Sequence, residues 1–94
     1  MKPFEWNPDK NIILQASRGL GFNDVVEALD NNRLLITINH PNQKKYPGQK
    51  IYIVNINHYC YIIPFVESEE KIFLKTIIPS RKDTKKYLTK GDNL

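Results

Sequence analysis

The chain has 94 residues, 40% of them hydrophobic and 26% charged, with a formal net charge of +4. That length holds one domain with a single modest core, and the composition excludes a disordered chain. No apolar run reaches the roughly 18 residues of a membrane helix, and the longest, residues 59–66, contains Pro64. The opening Met-Lys-Pro-Phe-Glu-Trp lacks the hydrophobic stretch of a secretory leader. Lone Cys60 makes neither an internal disulfide nor a zinc site by itself. These features predict a cytoplasmic protein without cofactor or metal.

The first third reads as helical. Asn7-Pro8-Asp9 has the form of a helix start: asparagine caps, proline takes the first helical position, and aspartate favours the positive end of the dipole. Ile12, Ile13 and Ala16 are expected to line one side of it, with Gly19 or Gly21 as the stop. Phe22, Val25, Val26 and Leu29 then follow the i, i+3, i+4, i+7 spacing of a second helix, which ends at Asp30-Asn31-Asn32.

From Leu34 the period changes. Residues 34–39, 51–56, 59–66 and 71–78 read as strands. His40-Pro41-Asn42 opens a polar loop through residue 50, Asn57-His58 forms a tight hairpin turn, and Glu67-Ser68-Glu69-Glu70 forms another turn. Along 71–78, Ile72, Leu74 and Ile78 are expected on one face and Lys71, Phe73, Lys75 and Ile77 on the other. Pro64 inside its strand predicts an edge position or a bulge. Ser80-Arg81-Lys82-Asp83 has the form of a capping box that opens a short basic helix ending near Tyr87 or Leu88. The predicted fold class is α+β. Two N-terminal helices pack on an antiparallel four-stranded meander, and a short C-terminal helix follows. The far face of the sheet is left partly open.

Charge is unevenly placed. Residues 1–33 carry four basic and five acidic groups, whereas residues 81–90 carry Arg81, Lys82, Lys85, Lys86 and Lys90 against Asp83 alone. A basic end on a near-neutral body suits an anionic partner, most simply a phosphate backbone. A competing account is codon composition, since lysine outnumbers arginine eleven to three.

Three segments carry a resemblance. Phe4-Glu5-Trp6-Asn7-Pro8-Asp9-Lys10 resembles the F-[ED]-W-[DN]-P-x-K opening of the BrnT family of bacterial toxins. Arg18-Gly19-Leu20-Gly21-Phe22 is similar to the family's Arg-Gly-x-x-Phe turn. Ile78 to Tyr87 resembles its I-x-S-A-R-K-A-T-x-x-E-R closing segment, with Pro79-Ser80 where the family usually has alanine before Arg-Lys. The loop at residues 40–50 is unlike the acidic loop common in the family. The resemblance implies a fold like that of RelE-type ribonucleases and a toxin that cleaves mRNA without metal. It also implies a ribbon-helix-helix antitoxin of the BrnA or CopG kind as partner, in a 2:2 complex that reaches promoter DNA only through the antitoxin.

Metal-free RNA cleavage needs a base for the 2′-hydroxyl, cations for the phosphorane charge and an acid for the leaving oxygen. Arg81 and Lys82 are the candidate phosphate cations, since arginine forks onto two phosphate oxygens. His40 stands as a proton carrier, the role histidine suits as a residue type, or as a plain turn histidine. Tyr87 stands as a proton donor or stacking residue, or as packing for the last helix. Lys75, Lys85, Lys86, Lys44 and Lys45 are candidate backbone-binding charges. Tyr52, Tyr59 and Tyr61 form either a stacking surface or sheet packing, and Trp6 is expected to anchor the core. The ribonuclease reading expects Arg81 and Lys82 to meet the open sheet face in a positive hollow. Its rivals are a non-catalytic RNA-binding module and a protein-interaction domain.

Overall fold

The structure, a computed structural model, describes residues 2–88; Lys90 lies outside the described residues. The elements in chain order are β1 (Phe4–Glu5), α1 (Pro8–Arg18), α2 (Phe22–Asp30), β2 (Leu34–Asn39), β3 (Lys50–Ile56), β4 (Tyr59–Glu67), β5 (Ile72–Leu74), β6 (Ile78–Pro79) and α3 (Arg81–Tyr87). They form an α+β fold whose six-stranded sheet runs β1-β5-β4-β3-β2, with β6 also paired to β4. The antiparallel core of the predicted meander is present. The sheet is nevertheless mixed, because β1 joins β5 in parallel, Phe4 opposite Ile72. Two residues were too few to register as a strand. What holds them is tertiary: Ile72 N–H donates to the Pro3 carbonyl, and Lys2–Glu67 and Lys71–Glu5 ion pairs flank the segment.

The helix signals act as read. Asn7 Oδ1 accepts from the Asp9 and Lys10 amides, and Gly19 ends α1 at φ +70°, where an L side chain is disfavoured. Gly21 has a different reason to be glycine: a Cβ there would sit 2.7 Å from Asn11 Oδ1 and 2.8 Å from Gln15 Nε2. The same Asn11 Oδ1 accepts from the Phe22 amide at 2.8 Å. This contact accompanies the rotation of α1 that turns the expected apolar side outward. Asn11 and Leu14 turn inward, whereas Ile12 (64% exposed), Ile13 (59%) and Ala16 face outward. On α2 the expected face holds, with Phe22, Val25 and Ala28 buried and Val26 and Leu29 packed against them.

Two core clusters lie on opposite faces of the sheet. The larger joins α1 and α2 to Val54, Ile56, Ile63, Phe65, Ile72, Leu74 and Ile77, with Trp6 stacked on Phe22 and Tyr52 on Phe65. The tyrosines resolve as packing. Tyr52 and Tyr61 join this cluster, and Tyr59 meets Tyr61 edge to face. The smaller cluster is Ile51, Ile53 and Cys60, with Ile62, Tyr87 and Leu88 against it.

The segment expected as one strand at residues 71–78 is two. Leu74 pairs with Phe65 and Ile78 with Ile62, so four steps on one side oppose three on β4. One extra residue inverts the alternation: Ile77 is buried and Ile78 is 41% exposed, the reverse of the expected faces. Pro64 explains the break. It lies in a central strand, not at an edge, and its carbonyl accepts from the Lys75 amide. A residue's nitrogen and carbonyl point to the same side of a strand, so the missing N–H falls in the gap between β5 and β6.

The hairpin turn between β3 and β4 is as expected, with Asn57 and His58 both left-handed (φ +54° and +64°). This pair of angles is the two-residue turn that matches strand twist, and it favours glycine second. His58→Gly is therefore expected to stabilise the protein by about 0.5–1 kcal/mol, read as a higher urea midpoint at unchanged slope.

Candidate nucleic-acid interface

Helix α3 is fastened to β4 by a relay through Cys60. The Ser80 amide donates to the Cys60 carbonyl at 2.9 Å, continuing the β6–β4 ladder by one residue. The Cys60 amide donates to Thr84 Oγ1 at 2.8 Å, and that hydroxyl donates onward to the Ser80 carbonyl at 2.7 Å. Ser80 Oγ accepts from the Asp83 amide at 3.1 Å and donates to Asp83 Oδ2 at 2.6 Å. The expected capping pair is thus present with one change. The Ser80 amide is taken by the sheet, so Asp83 bonds the serine hydroxyl instead. Burial pushes the Cys60 thiol above its ordinary pKa, which leaves it an inert packing group.

This anchoring decides which way the charges point. Ser80 and Thr84 are buried, and Tyr87 and Leu88 pack on Ile51, Ile53 and Cys60. Those positions follow the i, i+4, i+7, i+8 pattern of one helix face. Arg81, Lys82, Lys85 and Lys86 are exposed on the other. Lys86 Nζ lies 5.2 Å from the Tyr87 ring centre. Lys75 belongs to the same side of the sheet: its neighbour Phe73 pairs with Val66 on the face opposite the Phe65–Leu74 pair, and Lys75 Nζ sits 5.6 Å from the Phe73 ring.

The other candidates lie elsewhere. The His40 amide donates to the Gln49 carbonyl, so this residue closes the β2–β3 pair beyond Lys50. Ser80 is tied to Cys60, which pairs with Asn55. Six residue steps, from Gln49 to Asn55, separate the two levels, about 20 Å along β3 at 3.3–3.4 Å per residue. One phosphate therefore cannot touch both His40 and Arg81. Tyr87, counted with them for proton transfer, turns its ring to the sheet as packing.

The loop around His40 is built rather than slack. Asn42 Oδ1 accepts from the Lys45 amide, and Gln43 reaches across to Gly48 N–H and to the carbonyls of His40 and Gln49. The His40 ring lies 4.4 Å from that of Tyr46, with Lys45 Nζ 5.4 Å from the same tyrosine, and Lys44 is exposed beside them. His40 Nδ1 accepts from the Asn42 amide at 3.0 Å, which places the proton of the neutral ring on Nε2.

The expected positive hollow does not coincide with any of three hollows on the described surface. The far face of the sheet is covered in part by the protein's own Tyr87 and Leu88. Hollows on the described surface lie beside Asp24 and Arg33, beside Lys50 and Glu67, and beside Leu34 and Tyr52, none of them lined by Arg81 or Lys82. Among the described residues no three His, Cys, Asp or Glu side chains gather as a metal would require, and no helix is long and apolar enough to cross a membrane.

Thr84 escaped sequence reading as a positioning residue. Its only signal was its place four residues after Ser80, on the face opposite the lysines. Comparison with family models, curated proteins and solved structures finds no match.

Proposed function

We propose that this protein is an RNA-binding module that tracks the phosphate backbone with the outward face of α3. The observation that carries this reading is the fastening of that helix. Ser80, Thr84, Tyr87 and Leu88 occupy its sheet side, so its four cations face outward, with Lys75 on the same side of the sheet. Asp83, the one acid of the helix, is bonded to Ser80. A pre-positioned cation row binds phosphates without ordering a helix at the moment of contact, and it reads charge and spacing rather than bases. In a toxin–antitoxin pair of the kind the motifs resemble, an acidic stretch of the antitoxin would compete for the same row.

A ribonuclease reading has one observation of its own. His40 presents a fixed tautomer, with the proton of its neutral ring on Nε2, and Lys45 lies near Tyr46, whose ring meets that of His40 at a tilt. On that reading the chemistry belongs to the loop at residues 40–50, and α3 only holds the strand.

The two readings separate in one experiment, a labelled single-stranded RNA titrated at several salt concentrations and inspected for cleavage. Each phosphate contact contributes about 0.7 to the slope of log K against log salt. The double variant Arg81→Ala, Lys82→Ala is expected to bind about tenfold more weakly and to lower the slope by about 1.4. RNA that stays intact supports the module. Cleavage abolished by His40→Gln, with binding retained, supports the nuclease. Unchanged affinity and slope in the double variant would remove α3 from the interface.

A further inference from the structure

Strand β2 ends the sheet with its outer backbone edge unpaired, since its described partner is β3 alone. Edge strands are ordinarily protected by charge, proline, a bulge or a covering element. Here Leu34, Leu35, Ile36 and Ile38 are each 37–38% exposed, and no residue from Leu34 to Asn39 is charged. A bulge is present but confined to the first residues, between Leu34 and Ile36, leaving Ile36–Asn39 regular. The α3 side of this edge is apolar, and the other side is apolar at its first residues and polar at Thr37 and Asn39. Leu34 lines a hollow of about 230 Å³ with Phe4, Leu29, Tyr52 and Ile72, while Ile36 and Ile38 lie beside Ile53 and Ile51 on the α3 side.

We infer that this edge pairs with a second copy of the same chain, β2 against β2 in antiparallel register. Charge selects both the partner and its direction. The end of β2 that leaves α2 is acidic: Asp30 is exposed there, and Arg33 shares its hollow with Asp24 and Glu27. The other end runs into Lys44 and Lys45, and there is no acid anywhere between residues 34 and 66. A two-fold axis through the strand sets each acidic end beside a basic one, twice, whereas parallel pairing would stack like on like. The neutral segment between the ends opposes itself without a charge clash.

A single strand pair with its flanking side chains falls at the small end of specific interfaces, so the dimer belongs to a range of roughly 10–100 µM rather than nanomolar. An antiparallel pair keeps each face of the sheet on one side. The two α3 helices would therefore stand on the same face of a continuous sheet. The dimer rests on β2 alone and survives failure of the RNA-binding reading.

The test is sedimentation of the full chain across roughly 5–500 µM. A mass rising from one chain to two is expected, with the midpoint moved about tenfold upward by Ile38→Lys, which places a charge on an already exposed position. Direction is read from two cysteine variants under mild oxidation, Cys60 being buried and out of reach. With the axis at Thr37, which sets Ile36 of one copy opposite Ile38 of the other, Thr37→Cys faces its own copy and is expected to cross-link. Asn39→Cys lies about 13 Å from its copy, beyond the roughly 7 Å a disulfide spans, and is expected to stay monomeric. A monomer throughout the range, with native circular dichroism, overturns the proposal and leaves the edge to another protein. Equal cross-linking of both cysteines overturns it as well, because that is the signature of parallel pairing.

Discussion

Replacing Phe22 with alanine is expected to remove about 3–5 kcal/mol of folding stability, the range for a fully buried aromatic truncated to a methyl. A domain of this length holds roughly 5–14 kcal/mol in total, so the loss is a large fraction of it. Phe22 is fully buried and opens α2. Its ring stacks on Trp6 at 5.6 Å, and its amide is the group that Asn11 of α1 holds. The residue thus joins the N-terminal segment, both first helices and the core on the sheet. Phe22→Leu keeps most of the volume and should lose roughly 1–2 kcal/mol. Urea unfolding followed by circular dichroism and by fluorescence of Trp6, the single tryptophan, checks both values. A loss below about 1.5 kcal/mol for the alanine variant would show that the site closes up, against the packing described.

Thr84→Val should destabilise the protein by about 1–3 kcal/mol, although the two side chains have nearly the same shape. No cavity forms, so the effect isolates the hydroxyl. Without it the Cys60 amide, at a residue with no exposed surface, loses its acceptor, and the first turn of α3 loses its tie to β4. Thr84→Ser keeps the hydroxyl and should lose much less. The substitution separates two roles of the helix. RNA affinity measured below the unfolding transition should fall in the valine variant even though every lysine remains, because the cations no longer stand in fixed positions. Unchanged affinity would show that charge alone suffices and that the fastening has no part in binding.

Much of the local structure was legible because its causes are local. Asn7-Pro8-Asp9 capped α1, Gly19 stopped it, Asn57-His58 turned the hairpin, and Ser80 with Asp83 opened α3. Each depends on backbone angles or hydrogen bonds spanning at most four residues. The misreadings share the opposite property. Apolar spacing put Ile12, Ile13 and Ala16 on one side of α1, but which way that side faces depends on Asn11 reaching eleven residues ahead to Phe22. Residues 71–78 read as one strand, yet the ladder breaks opposite Pro64 of the neighbouring β4 with one extra residue between Leu74 and Ile78, which no pattern within the segment itself records.

The candidate site divides the same way. Clustering of Arg81, Lys82, Lys85 and Lys86 within six residues is visible in the chain, and helical periodicity already separates them from Ser80, Thr84 and Tyr87. That His40 sits about 20 Å along β3 from the level of Ser80 is not visible, since distance between loops is set by strand register. Composition, caps, turns and charge placement were settled by the sequence alone, through interactions among near neighbours. Which face of α1 is buried, where the sheet breaks, and which polar groups share a surface were decided only by tertiary pairing. Those outcomes depend on contacts between residues far apart in the chain, where no local preference distinguishes the alternatives.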